Sequence, residues 1–209
     1  MLTSISPVGE AGRGQRWTIT VTVFTLASLA AGTLLGGALG LIGARIAASP
    51  LVGAWSPAIA AVVLAAIAVM GASVDAGRLS FTVPSWQRQV DERWLTSFRG
   101  WVYGAGFGAQ LGAAVLTVVP TAATYVAFSA ALLVAGVSGQ AVAGAAIGAT
   151  FGLGRAIPVL ATIRWRDPEQ LRTSFRRFDA GRAQASTVTV AGQLVVAAGA
   201  VALVPFVVS

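Results

Sequence analysis

The stretch from 101 to 136, WVYGAGFGAQLGAAVLTVVPTAATYVAFSAALLVAG, carries no charged residue and decides the fold. A helix needs about twenty apolar residues to cross the roughly 30 Å hydrocarbon core of a bilayer. This stretch exceeds that length, and as one straight helix it would run about 54 Å. Pro120 gives it a place to break, because proline lacks an N–H and its ring clashes with the preceding turn. Thr117, Thr121 and Thr124 surround Pro120, and threonine hydroxyls can satisfy the backbone groups that a break frees. The stretch reads as one long membrane helix interrupted near Pro120.

Four more runs of the required length flank it: residues 17–48, 54–73, 139–163 and 187–208. The fold class that follows is all-α, a polytopic transmembrane helical bundle of about five spans. Residues 17–208 form a single membrane domain, preceded by a cytoplasmic tail over 1–16 whose first residues, 1–12, read as loose. The first apolar run is too long for the core of a signal peptide. Two polar segments interrupt the apolar pattern, 74–100 and 164–186. Each places a tryptophan ahead of mixed charges, Trp86 before Arg88, Asp91, Glu92 and Arg93, and Trp165 before Arg166, Asp167 and Glu169. Both read as amphipathic helices lying on the cytoplasmic face.

Arginine sets the orientation. All 14 basic residues are arginine, and all but Arg45 and Arg155 gather before the first run and in the two polar segments. Basic residues near span ends stay in the cytoplasm. The N-terminus is therefore expected inside and the C-terminus outside, in the inner membrane of a bacterial cell. Tryptophan agrees: Trp17, Trp86, Trp94, Trp101 and Trp165 all fall at the expected cytoplasmic boundary, where an apolar ring with one polar N–H prefers to sit.

Composition excludes more than it suggests. With 56% hydrophobic and 10% charged residues, the chain has no room for a separate soluble domain. The net charge of +7 comes from arginines beside spans, where they meet anionic headgroups, so nucleic acid is not an expected partner. Cysteine and histidine are both absent, which removes disulfides, thiol relays, the commonest metal ligand and the usual proton shuttle. No metal and no cofactor is expected. There is no phosphate-cradling loop and no base for a serine nucleophile, so the chain is not expected to be an enzyme.

Glycines repeat at a spacing of four in three spans: Gly32/Gly36/Gly40, Gly104/Gly108/Gly112 and Gly144/Gly148/Gly152. Such GxxxG faces let backbones approach closely in lipid, where no hydrophobic drive holds helices together. They imply a compact bundle. Beyond the bilayer itself, the glycine faces or the cytoplasmic amphipathic segments could hold a protein partner or a second copy of the chain.

Few residues could carry chemistry. Arg155 is the one ionisable residue deep in a span; it could hold an anion or carboxylate group, or snorkel to the surface. Gln110, Thr117, Pro120, Thr121, Thr124 and Tyr125 cluster in the interrupted helix, where transporters expose backbone carbonyls to solutes. Gln193 reads as an interhelical hydrogen-bond partner. No acidic residue falls inside any expected span, so a relay built on membrane carboxylates has nothing to run on.

From Gly106-Phe107-Gly108-Ala109-Gln110-Leu111-Gly112 through Val118-Val119-Pro120-Thr121-Ala122-Ala123-Thr124-Tyr125, the chain resembles the membrane domains of the CcdA/DsbD group. That group moves reducing equivalents across bacterial inner membranes with a cysteine beside the proline of the broken helix. Here Val119 and Thr121 flank Pro120, so the resemblance implies a scaffold that lacks the electron relay. Two functions remain. One is a small transporter or channel for a small anionic or neutral solute, selected around Pro120 and Arg155. The other is a non-catalytic membrane subunit or scaffold of a larger complex.

Overall fold

The computed structural model describes residues 5–50, 56–80, 84, 93–114, 121–164, 169, 173 and 181–208, and every regular element among them is helical. The elements are α1 (Pro7–Gly12), α2 (Trp17–Ala47), α3 (Pro57–Asp75), α4 (Trp94–Ser97), α5 (Gly100–Ala113), α6 (Ala123–Ser138), α7 (Ala141–Ala161), a 3₁₀ turn (Thr162–Arg164) and α8 (Arg182–Val208). Within α2, α3, α7 and α8 lie four stretches long and apolar enough to cross a bilayer, and α6 is a shorter apolar helix. The chain is an integral membrane protein built as an all-α helical bundle.

The long central helix is interrupted, but the break opens earlier than proline chemistry predicts. Helix α5 ends at Ala113, and Ala114 adopts a left-handed conformation with φ 53°. That conformation costs a non-glycine residue about 1–2 kcal/mol. Thr117 and Pro120 lie outside the described residues, and α6 resumes at Ala123. The expected amphipathic helix over 164–186 falls largely outside the described residues, though the start of α8 is described, five residues ahead of the expected 187. Most of 74–100 is described and is not one helix. It holds the end of α3, a turn, the four-residue α4 and the start of α5.

The chain divides into two compact units. The first holds α1, α2 as far as Gly32, α4, α5, α7 from Ala149 and the 3₁₀ turn. Its core is Val21, Phe24, Tyr103, Phe107, Ala156 and Val159, with Ile5 packed among them. Residues 5–12 are therefore no loose tail. Ser6 caps α1 by accepting the Gly9 N–H at 3.1 Å, and Pro7 supplies a preset first turn. The Thr162 hydroxyl reaches the Ile5 carbonyl at 3.2 Å. Glu10, on the same short helix, is fully buried.

Helices α2 and α5 run parallel in this unit. A Cβ at Gly104 would stand 2.7 Å from the Thr20 carbonyl oxygen; Gly108 lies likewise against Phe24, and Gly112 against Ser28. Each step of four on α5 meets a step of four on α2. A side chain at any of the three would push the two backbones apart.

The second unit holds α2 from Thr33, α3, α6, α7 up to Gly148, and α8. Here α2 and α7 run antiparallel, Gly36 against Gly148 and Gly40 against Gly144. Its apolar core joins α3 and α6 with α8 through Leu64, Ala65, Ala68, Val126, Ala197 and Ala200.

Candidate functional site

The second unit carries an open cavity of about 680 Å³ between α3 and the start of α6. Ile67, Met70, Val74, Leu79, Tyr125 and Val126 supply much of its apolar wall. Gly71 keeps the wall open: a Cβ there would come within 3.2 Å of Val126 Cγ2. Tyr125 lies at this cavity, and its hydroxyl donates to the Pro84 carbonyl.

Asp75 stands beside that cavity as the last residue of α3. A carboxylate at a helix C-terminus opposes that helix's own dipole. Here it faces the N-terminus of α6 instead: Asp75 Oδ1 accepts the Ala122 N–H at 2.9 Å. Its other oxygen, Oδ2, accepts from Gln193 Nε2 at 2.7 Å, across to α8. The Ser186 hydroxyl donates to the Asp75 main-chain carbonyl at 3.2 Å. One acidic side chain thus joins α3, α6 and α8. Gln193 does act as an interhelical hydrogen-bond partner. Its Oε1 is buried without a partner among the described residues, since the amide turns its NH₂ to the carboxylate.

The expectation that no carboxylate belongs to a span is corrected by Asp75. Helix α3 runs two residues past the expected end at 73 and carries the acid with it. The missed signal is an aspartate directly after an unbroken apolar run.

The described candidate residues are divided between the two units. Thr121, Thr124 and Tyr125 sit together at the start of α6, with Thr124 buried. Gln110 and Arg155 belong to the first unit. Gln110 is half-buried on α5, where its carbonyl accepts the Ala114 N–H at 3.1 Å. Arg155 is half-buried on α7, its guanidinium 5.6 Å from the ring centre of Phe151 one turn earlier. Thr117 and Pro120 lie outside the described residues.

The first unit contains a polar cluster that sequence reasoning did not find. The buried Glu10 carboxylate accepts from Tyr103 Oη at 2.5 Å, Arg13 at 2.7 Å and the Thr20 hydroxyl at 2.8 Å. Burial works against the Arg13 charge, but the adjoining Glu10 and Tyr103 outweigh it and raise its pKa above the ordinary arginine value. The cluster ties α1 to α2 and α5. The Glu10 carboxylate is satisfied by these three donors, as a buried charge requires.

No protein-family model matches the chain, and no solved structure is detectably similar. Two curated proteins are. The chain is 31% identical over 205 residues to methylamine utilization protein MauF of Methylophilus methylotrophus, a match covering 97% of this chain and 67% of that protein. The chain belongs to the MauF family. MauF of Paracoccus versutus is 33% identical over 163 residues, covering 75% of this chain and 56% of that protein. The chain therefore spans little more than half the length of the Paracoccus MauF and about two thirds of the Methylophilus one. The Methylophilus MauF match takes in nearly all of this chain, so family membership applies to both units.

Proposed function

We propose that this chain is a non-catalytic membrane component of methylamine utilization, acting through a protein partner. The observation that carries the reading is the 31% identity to a methylamine utilization protein across 97% of the chain. The use made of its polar side chains supports it. Glu10, Arg13, Thr20 and Tyr103 hold one another, and Asp75 and Gln193 hold three helices together. These groups serve the fold. The proposed topology keeps the N-terminus in the cytoplasm and the C-terminus outside. Parallel packing of α2 with α5, and antiparallel packing of α2 with α7, fit the alternation of spans in that topology, and the arginine pattern is what argues which side is cytoplasmic. The kinship proposed with the CcdA/DsbD group adds a scaffold without its redox cysteine.

The cavity beside Asp75 favours a second reading, a small transporter or channel. There the nearby charge is a carboxylate rather than Arg155, which suits a neutral or aminated solute better than an anion.

The test is deletion of the gene in its native host. Under the proposed reading the deletion strain loses growth on methylamine, keeps growth on ammonium, and recovers with the gene restored. Unchanged growth on methylamine overturns the reading. Uptake of labelled methylamine by the purified chain in liposomes would move the assignment to the second.

A further inference from the structure

A second pocket, of about 320 Å³, lies in the first unit where α2 and α5 begin side by side. Arg16 precedes α2 and Arg99 precedes α5. Because Gly100 and Gly104 pack against Thr20, the two arginines, 83 positions apart by subtraction of their numbers, line the same pocket. Neither has a carboxylate partner among the described residues. Glu10, the acid that approaches Gly100, is already engaged by Arg13, Tyr103 and Thr20. Gln15 also lines the pocket; its Oε1 accepts the Gly100 N–H at 3.1 Å, which leaves its amide NH₂ to donate.

Two exposed arginines, an amide donor and the positive ends of two helix dipoles line one small volume. Such a set matches a phosphate, whose oxygens accept several hydrogen bonds at once from arginine forks. Gly14, Thr20 and Gly100 complete the wall beside two large apolar side chains. Ile19 and Trp101 line the pocket, 45% and 53% exposed, on the sides of two helices read as membrane spans. We infer that this pocket binds a phosphate group, and that an anionic phospholipid supplies it, its headgroup on Arg16 and Arg99 and its acyl chains along Ile19 and Trp101. The inference is independent of the role in methylamine utilization.

The experiment uses the purified full chain in mild detergent, offered phosphatidylglycerol, phosphatidylcholine or inorganic phosphate separately. Retained lipid is read by native mass spectrometry, and stabilisation by the melting shift. The native chain is expected to retain phosphatidylglycerol at least tenfold better than phosphatidylcholine. The double variant Arg16→Gln/Arg99→Gln loses that retention at least tenfold, and Arg16→Lys/Arg99→Lys recovers much of it. Arg45→Gln/Arg78→Gln, altering two exposed arginines elsewhere, retains the lipid as the native chain does. Helical circular dichroism and unchanged elution show that each variant is folded. Undiminished retention by Arg16→Gln/Arg99→Gln, or equal retention of phosphatidylcholine, overturns the inference. A melting shift from inorganic phosphate alone, lost in the same variant and unaccompanied by lipid retention, overturns the lipid as the source.

Discussion

Tyr103 Oη donates to Glu10 Oε1 at 2.5 Å, tying a helix of six residues near the N-terminus to the first turn of α5. Glu10 is fully buried, and an ionised carboxylate in that position is tolerable only because three donors surround it. The short helix α1 is therefore part of the first unit.

Removing one of those donors should be felt. Tyr103→Phe keeps the ring in the core and deletes the hydroxyl, and a hydrogen bond to a charged group contributes about 1.5–3 kcal/mol. A loss of about 2 kcal/mol is expected by reversible unfolding in detergent. Glu10→Ala, which removes the shared acceptor of all three donors, should cost more. Wild-type stability in both variants would show that the cluster does not hold α1.

The glycines divide into two groups with opposite expectations. Gly144→Ala would bring a Cβ within 2.8 Å of Gly40 Cα and 3.0 Å of the Ala131 carbonyl oxygen. Overpacking of that kind costs about 1–3 kcal/mol. Among the described residues, nothing stands within 4 Å of a Cβ at Gly192 or Gly199 on α8. Alanine there should be neutral or stabilising by up to about 1 kcal/mol, because it has the higher helix propensity. Equal losses at Gly144 and Gly192 would contradict the packing described for α2 and α7.

Asp75 gives a third expectation. Asp75→Ala removes both acceptor oxygens and takes from the Ala122 N–H and the Gln193 amide the bonds they make to the carboxylate. A cost of about 1–3 kcal/mol follows. A double-mutant cycle with Gln193→Leu should show coupling, since the two side chains share a 2.7 Å bond. Strict additivity in the cycle would remove the bond from the account.

The bilayer-crossing helices were legible because each is a run of apolar residues longer than the hydrocarbon core is thick. The expected span 17–48 meets α2 at Trp17–Ala47, and 139–163 encloses α7 at Ala141–Ala161. Three features were not legible, for different physical reasons. Glu10 reads as solvated tail because its partner Tyr103 is 93 positions away, a pairing no local pattern announces. Asp75 was placed outside its span because a helix end can shift by two residues without any change in hydropathy. Ala114 carries no signature at all: alanine has no intrinsic tendency toward the left-handed region, and only the surrounding chain puts it there. Of the candidate site, the Thr121–Tyr125 segment lies at a cavity, while Arg155 and Gln110 fall in the other unit.

Arg155 supplies a direct comparison between the two functional readings. Over Phe151 its guanidinium gains a cation–π contact, which contributes about 0.5–1 kcal/mol at accessible sites. Arg155→Ala should therefore lower stability by no more than about 1 kcal/mol and leave the proposed role intact. Loss of growth on methylamine, with normal amounts of the variant in the membrane, would return Arg155 to a solute-binding site.

The most direct test of the central claim is the mass of the intact assembly. The tagged chain would be drawn in mild detergent from native cells grown on methylamine. A non-catalytic membrane component should come away with a foreign protein in fixed stoichiometry, and that protein should be absent from a mock-tagged control. A clean monomer or homo-oligomer that carries methylamine across liposomes by itself would contradict the account.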